Sequence, residues 1–416
     1  MTELTPTFAA VREASRRLVT LTDERRNDVV RTLAHLVLTH QDRLLEANAQ
    51  DLARMDPANP LYDRLQLTPA RLAAIAQDLT SVADLPGVLG QTLEARTLPN
   101  GIRLRRVSVP FGVVGVIYES RPNVTFDVFS LCFKTGNACI LKGGSDAEHS
   151  NRAAINLIHD ALRQNELNPD AAVLLPSTRE ATAALLEAEG YVDLLIPRGG
   201  RALIDSVRRN ARVPVIETGA GVVSAYFDRE GDLAVGQRVV DNSKTRRVSV
   251  CNALDTLLIH AERLAALPAL VAPLADKKVE LHADERALAA LRGHYPDALL
   301  LAATPADWDR EWMDYKLGIC TVDSLGAAID HIALHGSGHS ETIITASAAS
   351  AETFQKMVDA ACVYVNVPTA FTDGAQFGLG AEIGISTQKL GARGPMGLRE
   401  LTTYKYLLEG EGQTRA

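Results

Sequence analysis

Val113-Val-Gly-Val-Ile-Tyr-Glu-Ser-Arg-Pro-Asn123-Val-Thr begins with six residues suited to burial on both faces and ends on a polar turn that leads into a helical run. A short apolar run bounded by turn residues reads as a covered strand. The same unit recurs downstream. Ala138-Cys-Ile-Leu-Lys142, Ala172-Val-Leu-Leu175, Val192-Asp-Leu-Leu-Ile196 and Val213-Pro-Val-Ile216 are further strand candidates, and 123–134, 147–165, 178–189 and 201–210 are the helix-like runs around them. Apolar strands alternating with helices predict a parallel sheet covered on both sides. Residues 110–220 therefore read as a doubly wound α/β unit of the kind that binds nucleotides.

On the amino-terminal side the chain has no glycine before Gly87, and apolar residues such as Leu33, Leu36, Val37 and Leu44 fall at helical spacing. That predicts a layer of three or four helices, broken near Asp56-Pro57 and at Asp84-Leu-Pro-Gly87. Asn100-Gly101 between extended residues is a hairpin signal, and two strands need support from elsewhere. On the carboxyl side, Val222–Phe227, a helix over 232–244 and a strand over 254–259 restart the alternation. They predict a second α/β domain whose first strand follows Cys251. Past Pro368 the chain turns glycine-rich and closes with the extended Leu401-Thr-Thr-Tyr-Lys-Tyr-Leu-Leu. The expected division is 1–240 for the helical layer and nucleotide-binding domain, with the hairpin 98–109 for oligomerisation. Residues 241–366 follow as a catalytic domain, and 367–416 as a return segment and oligomerisation tail.

The 416 residues carry 43 basic and 51 acidic side chains, a net charge of −8. That balance argues against a nucleic-acid or membrane-surface partner. No apolar run has the length of a membrane helix, and the start lacks the pattern of a signal peptide. Five cysteines with no Cys-x-x-Cys pair fit a reducing cytoplasm, without zinc or a disulfide frame.

Cys251 is the first candidate for chemistry. A polar, basic stretch, Asn242-Ser-Lys-Thr-Arg-Arg, leads toward it and an apolar run follows, so it falls at a seam where a thiol can face a cleft. Positive charge favours the thiolate nucleophile, and Lys244, Arg246 and Arg247 supply charge and a seat for a leaving anion. A core cysteine is the competing reading, and it suits Cys132, Cys139, Cys320 and Cys362. Gly143-Gly144 and Gly199-Gly200 each end a strand and open a helix, where bare backbone admits a phosphate or simply makes a tight turn. Lys142, at a strand terminus, is a ligand for ribose or a 2′-phosphate, or a solvated end. Asn123 either caps its helix or donates an amide to an oxyanion. Glu217 is a base or ribose ligand, Glu311 a ribose ligand, and for both a plain surface carboxylate is the alternative. His335-Gly-Ser-Gly-His339-Ser-Glu341 holds three metal-capable donors, but its glycines argue a loop and no metal is expected.

Together these residues give the chain a family. Val109-Pro-Phe-Gly-Val-Val-Gly-Val-Ile-Tyr-Glu-Ser-Arg-Pro-Asn-Val-Thr, the Cys251 window, Tyr364-Val-Asn-Val-Pro-Thr-Ala-Phe-Thr-Asp-Gly-Ala-Gln-Phe-Gly-Leu-Gly-Ala-Glu-Ile-Gly-Ile-Ser-Thr-Gln and the ending Ala392-Arg-Gly-Pro-Met-Gly-Leu-Arg-Glu-Leu-Thr-Thr-Tyr-Lys405 resemble the aldehyde dehydrogenase superfamily, in particular its branch that reduces an acyl phosphate of glutamate. The resemblance implies an aldehyde-dehydrogenase-like α/β fold, with a Rossmann-type nucleotide-binding domain, an α/β catalytic domain and a small oligomerisation hairpin and tail. It places the nucleophile at Cys251 and the oxyanion amide at Asn123. It also gives Lys142 the adenine ribose and Glu311 the nicotinamide ribose. Gly143, Gly144, Ser145, Pro197, Gly199, Gly200 and Glu217 join the cofactor set. Arg121, Arg246, Arg247 and Asn366 are the expected substrate contacts, with Glu119 and Arg393 as further guesses.

Two stretches depart from the superfamily pattern. Its Gly-Ser-x-x-x-Gly turn is here Pro197-Arg-Gly-Gly-Arg201, and its Glu-Leu-Gly-Gly is here Glu217-Thr-Gly-Ala. The second departure suits a reductase, which needs no activated water. The implied reaction is NADPH-dependent reduction of L-glutamate 5-phosphate to L-glutamate 5-semialdehyde and phosphate through a Cys251 thioester, the second step of proline biosynthesis from glutamate. A homo-oligomer, a cytoplasmic setting and a glutamate 5-kinase as possible donor of the labile substrate go with it. Two alternatives stay open: another aldehyde or acyl-thioester dehydrogenase of this fold, and a nucleotide-binding scaffold with a retired site.

Overall fold

The structure, a computed structural model, describes residues 3–57, 59, 62–119, 121–219 and 221–415. They form two compact units. The first contains Met1–Thr218, Gly378–Gly384 and Met396–Ala416, the second Gly219–Phe377 and Ile385–Pro395. Among the described residues no helix is long and apolar enough to cross a membrane.

The glycine-free start of the first unit forms α1 (Thr5–Leu18), α2 (Asp23–Thr39), α3 (Gln41–Leu52), the single turn α4 (Tyr62–Leu65) and α5 (Pro69–Asp84). Thr22 and Thr68 cap α2 and α5 by accepting from Arg25 N and Arg71 N, the usual use of a hydroxyl at an N-cap. Val29, Val30, Leu33 and Val37 form the buried stripe of α2, the helical periodicity anticipated from the sequence.

Four parallel strands follow in the order β5-β4-β3-β6, with β3 Val113–Tyr118, β4 Ala138–Lys142, β5 Ala172–Leu174 and β6 Leu194–Arg198. Four helices alternate with them: α6 Asn123–Lys134, α7 Glu148–Gln164, α8 Arg179–Leu186 and α9 Arg201–Asn210. The expected fifth strand over 213–216 makes only one bridge, Val215 to Leu195. Pro214 has no N–H with which to continue a ladder. The fourth strand begins later than 192. Asp193 takes the Val113 N–H on its carboxylate at 2.8 Å and binds Arg12 there, while its own N–H donates to Val113 O at 2.9 Å, and the bridge register opens at Leu194 opposite Val114.

The hairpin β1 (Thr92–Thr97) and β2 (Arg103–Pro110) turns at Asn100-Gly101, where Gly101 has φ 84°. The tail strand Thr402–Glu409 lies antiparallel to β2, from Thr402 opposite Pro110 to Glu409 opposite Arg103. The hairpin, expected to lean on another domain or subunit, and the tail, expected to pair with an edge elsewhere, are paired with each other inside one chain.

The second unit is a seven-stranded parallel sheet in the order β10-β9-β11-β8-β7-β12-β13. Its strands are β7 (Ser224–Phe227), β8 (Thr256–His260), β9 (Glu280–Ala283), β10 (Leu300–Ala302), β11 (Lys316–Val322), β12 (Ser340–Ile344) and β13 (Cys362–Val365). Its helices are α10 (Leu233–Thr245), α11 (Leu267–Asp276), α12 (Glu285–Leu291), α13 (Leu325–His335) and α14 (Ala348–Met357), and a two-residue ladder joins β14 (Ile385–Ser386) to β15 (Gly394–Pro395). Alternation along the strands divides the core. Ala225, Phe227, Leu257 and Ile259 face one cluster, Tyr226 and Leu258 the other. β7 precedes Cys251 in the chain and lies beside β8, so the sheet begins before the cysteine rather than after it.

Candidate active site

Cys251 lies in the loop between α10 and β8, half-buried. The loop is pinned on both sides. Leu254 N donates to Ser243 O at 3.0 Å, Asn252 Nδ2 donates to Thr372 O at 2.9 Å, and Thr369 Oγ1 donates to Asn252 O at 2.8 Å. The other cysteines differ in setting. Cys132, Cys139 and Cys362 are buried, and burial pushes the Cys132 and Cys320 thiols up to about 12, where thiolate chemistry is suppressed.

Gly221 approaches the same loop. A Cβ there would stand 1.7 Å from the Cys251 carbonyl oxygen, so only glycine fits. Its N–H donates to Glu311 Oε1 at 3.1 Å. The next three N–H groups are also taken by side chains: Val222 N by Ser337 Oγ at 2.8 Å, Val223 N by Asp255 Oδ2 at 3.2 Å and Ser224 N by Glu341 Oε2 at 2.7 Å. The chain reaches the cysteine before β7 has begun, and side chains do what a sheet partner does elsewhere. Two side chains of the histidine-rich stretch accept here: Ser337 through its hydroxyl and Glu341 through its carboxylate. His339 Nδ1 meets Ser340 Oγ and His335 Nδ1 meets Asp309 Oδ1. Among the described residues no group of three or more His, Cys, Asp or Glu is placed to hold a metal.

Charge behind the cysteine is buried. Lys244, on α10, is wholly inaccessible, and its Nζ has no hydrogen-bond partner among the described residues. Burial lowers its pKa, and the carboxylates of Asp255 and Asp314 offset that. Arg246, the C-cap of α10, and Arg247 are exposed.

In the first unit, the β4 terminus carries Lys142, which is 8% exposed and donates from Nζ to Ser177 O at 3.3 Å. Burial lowers its pKa. Gly143 and Gly144 follow, and a Cβ on Gly143 would meet Asn151 Nδ2 at 2.2 Å. Ser145 opens the short turn before α7. α7 has no cap of its own. Asp51 reaches over from α3 and accepts from His149 N at 3.0 Å and Ser150 N at 2.8 Å. That fixes the β4–α7 turn, beside which a cavity of about 290 Å³ is lined by Gly143, Gly144, Glu148, Arg152, His159 and Ser177 among others.

At the β6 terminus, Pro197 O accepts from Thr218 Oγ1, and Gly199-Gly200 lead into α9. The Glu119 carboxylate, from the end of β3, accepts from Gly200 N at 2.9 Å, and a Cβ on Gly199 would stand 2.4 Å from it. The α9 N-terminus is therefore an anion seat that already holds a carboxylate. Glu217 lies 3.8 Å from Arg208 of α9. Asn123 is not a cap: Pro122 holds that position and no side-chain cap bond is made. Its amide donates instead to Asp127 Oδ2, one turn on, at 2.9 Å.

Of the expected substrate contacts, Asn366 uses both amide atoms on Thr345, accepting from its N at 3.0 Å and donating to its O at 2.8 Å. Arg393 pairs with Asp359 at 2.7 Å, and Arg121 stands between β3 and α6. The sequence reading passed over Asp127, Asp255 and Glu119's seat on α9. The first was findable, since Asn and Asp at i and i+4 share a helix face. The other two depend on contacts distant in sequence.

No family model matches the chain. A gamma-glutamyl phosphate reductase from Pelodictyon phaeoclathratiforme is 58% identical over 412 residues, covering 99% of each chain. The crystal structure of a gamma-glutamyl phosphate reductase from Thermotoga maritima covers 100% of both chains at 38% identity with a TM-score of 0.95. A Rhodopseudomonas palustris propionaldehyde dehydrogenase, at 17% identity and TM-score 0.67 over 97% of this chain, shares the fold. Full-length identity at this level, over the aldehyde dehydrogenase fold, places the chain in the gamma-glutamyl phosphate reductase family.

Proposed function

We propose that this chain reduces L-glutamate 5-phosphate to L-glutamate 5-semialdehyde with NADPH, through an acyl thioester on Cys251. One observation carries the reading within the second unit. The Cys251 carbonyl and the Glu311 carboxylate both meet a single residue, Gly221, the first by close approach and the second by a hydrogen bond from its N–H, so the segments of the nucleophile and the expected cofactor ligand adjoin at one backbone position. In the reading, the Cys251 thiolate attacks the acyl carbon, the carbon–oxygen bond to phosphate breaks, and phosphate leaves. The reduced nicotinamide, when bound, would supply the hydride to the thioester carbon, and the carbon–sulfur bond then breaks to release the aldehyde and return the Cys251 thiolate. Arg246 and Arg247, exposed beside the loop, receive the departing phosphate, and Asn123 supplies an amide to the oxyanion.

The residues fit a dinucleotide. Lys142 keeps a buried ammonium at a strand end, and the α9 N-terminus already accepts an anion beside bare glycines. Lys142, Gly143, Gly144 and Ser145 would hold the adenosine side, Pro197, Gly199 and Gly200 the phosphates, and Glu311 the second ribose. Glu217, paired with Arg208, stays in the cofactor set. NADPH rather than NADH, a cytoplasmic homo-oligomer, and handover of the labile acyl phosphate from a glutamate 5-kinase belong to the same reading.

The test runs the reaction in reverse, oxidising the semialdehyde with NADP⁺. Turnover is expected to require phosphate and to vanish in Cys251→Ala. Phosphate-independent oxidation, or turnover surviving that replacement, overturns the reading.

A further inference from the structure

Three segments that the proposed function relies on converge on one side chain that it does not use. Asp255 lies four residues beyond Cys251 and is 2% exposed. Its Oδ2 accepts from Val223 N at 3.2 Å, two residues from the glycine that abuts Cys251. Its Oδ1 accepts from Trp312 N at 2.9 Å, next to Glu311. Its own backbone joins the same partners: Asp255 N donates to Val223 O at 2.9 Å, and Asp255 O accepts from Trp312 Nε1 at 3.2 Å and from Gly318 N at 2.8 Å.

We propose that Asp255 is a positioning residue for this reaction, one carboxylate that sets the Cys251 loop, the Gly221 approach and the Glu311 segment in a common register. The geometry demands a carboxylate. Two backbone N–H groups arrive on two different oxygens, and an amide would turn a donor toward one of them, leaving a buried N–H unsatisfied. The buried charge has a counter-ion in Lys244, whose ammonium makes no hydrogen bond among the described residues and acts on the carboxylate through space. Glu311 and Asp314, from the segment before β11, and Glu341, from β12, are the other charged groups that act on this pair. Burial is the main force raising the Asp255 carboxyl, and Lys244 is the main force holding it down. Loss of Lys244 therefore moves its titration to higher pH.

The inference rests on the proposed function, and the Cys251→Ala assay tests that separately. Asp255→Asn is the direct probe, with Val271→Ala in the α11 core as a control for lost stability alone. Expected for Asp255→Asn are a fall in kcat of tenfold or more, a severalfold rise in the KM for NADPH, and a slower alkylation of Cys251 by iodoacetamide. Val271→Ala is expected to melt earlier with all three unchanged. Wild-type KM and alkylation rate in Asp255→Asn overturn the proposal. Should that variant not fold, Lys244→Met decides: the acid limb of its kcat/KM profile is expected to move up by about one pH unit, and an unmoved limb overturns the proposal equally.

Discussion

Asp127 stands one helical turn past Asn123 and accepts a hydrogen bond from its amide, so the amide's aim depends on the carboxyl's charge. Burial raises that carboxyl to about 6, while Arg198 and the Asn123 bond hold it down. Below that value the carboxyl gains a proton and loses most of its grip on the amide. The acid limb of kcat/KM is therefore expected to carry a protonation step near pH 6 from Asp127 beside the one set by Asp255, and Asp127→Asn should lower its slope from two protons to one. An unchanged limb in that variant removes Asp127 from the account. The sign for stability is opposite. The carboxyl binds its proton more tightly in the folded chain than in the unfolded one, so stability falls as pH rises from 3.8 toward 6. Above that range the buried carboxylate costs roughly 3 kcal/mol. Asp127→Asn is expected to melt higher than wild type at pH 8 while turning over more slowly, as differential scanning calorimetry beside the assay will show.

At the scale of elements, the β6–α9 turn holds two functions in tension. Its helix N-terminus favours an anion by about 0.3–1 kcal/mol, and Glu119 now supplies one. A cofactor phosphate seated there must displace that carboxylate. Glu119→Gln is expected to tighten NADPH binding about two- to fivefold, read by fluorescence titration; weaker binding would make Glu119 a ligand rather than a placeholder. The turn also marks where sequence stops being sufficient. Helices such as α6 and α9 stand where apolar spacing put them, and the Gly199-Gly200 turn that opens α9 was visible. The seat's occupant was not, because Glu119 and Gly200 meet only after β3 and β6 pair. The same holds for Asn366, read as a substrate contact from its neighbourhood but bound through both amide atoms to Thr345. Local pattern reports what a residue can do. The long-range partner that uses up its donors is written elsewhere in the chain. Val213–Ile216 stops at one bridge for a local reason, since Pro214 and Pro197 of the partner strand both lack the N–H that the next bonds would use.

Across the whole molecule, chain order and packing order disagree. The first unit begins at the amino terminus and is finished by Gly378–Gly384 and Met396–Ala416. Asn137, in front of β4, donates from Nδ2 to Leu401 O at 2.9 Å, and the tail strand covers β2 along eight residue pairs. Removal of residues 402–415 is expected to lower the melting temperature by on the order of 10 °C and to leave β2 open to intermolecular pairing, seen as aggregates by size-exclusion chromatography. A tail that served only as an arm for a second subunit would leave the monomer's melting temperature where it was.

That interleaving reaches back to biosynthesis. A ribosome adding 5–20 residues per second takes roughly 10–35 s to pass from the end of the first long segment to the tail that closes it. Throughout that interval β1 covers one edge of the nascent β2 and the other stays open until residues 402–409 emerge.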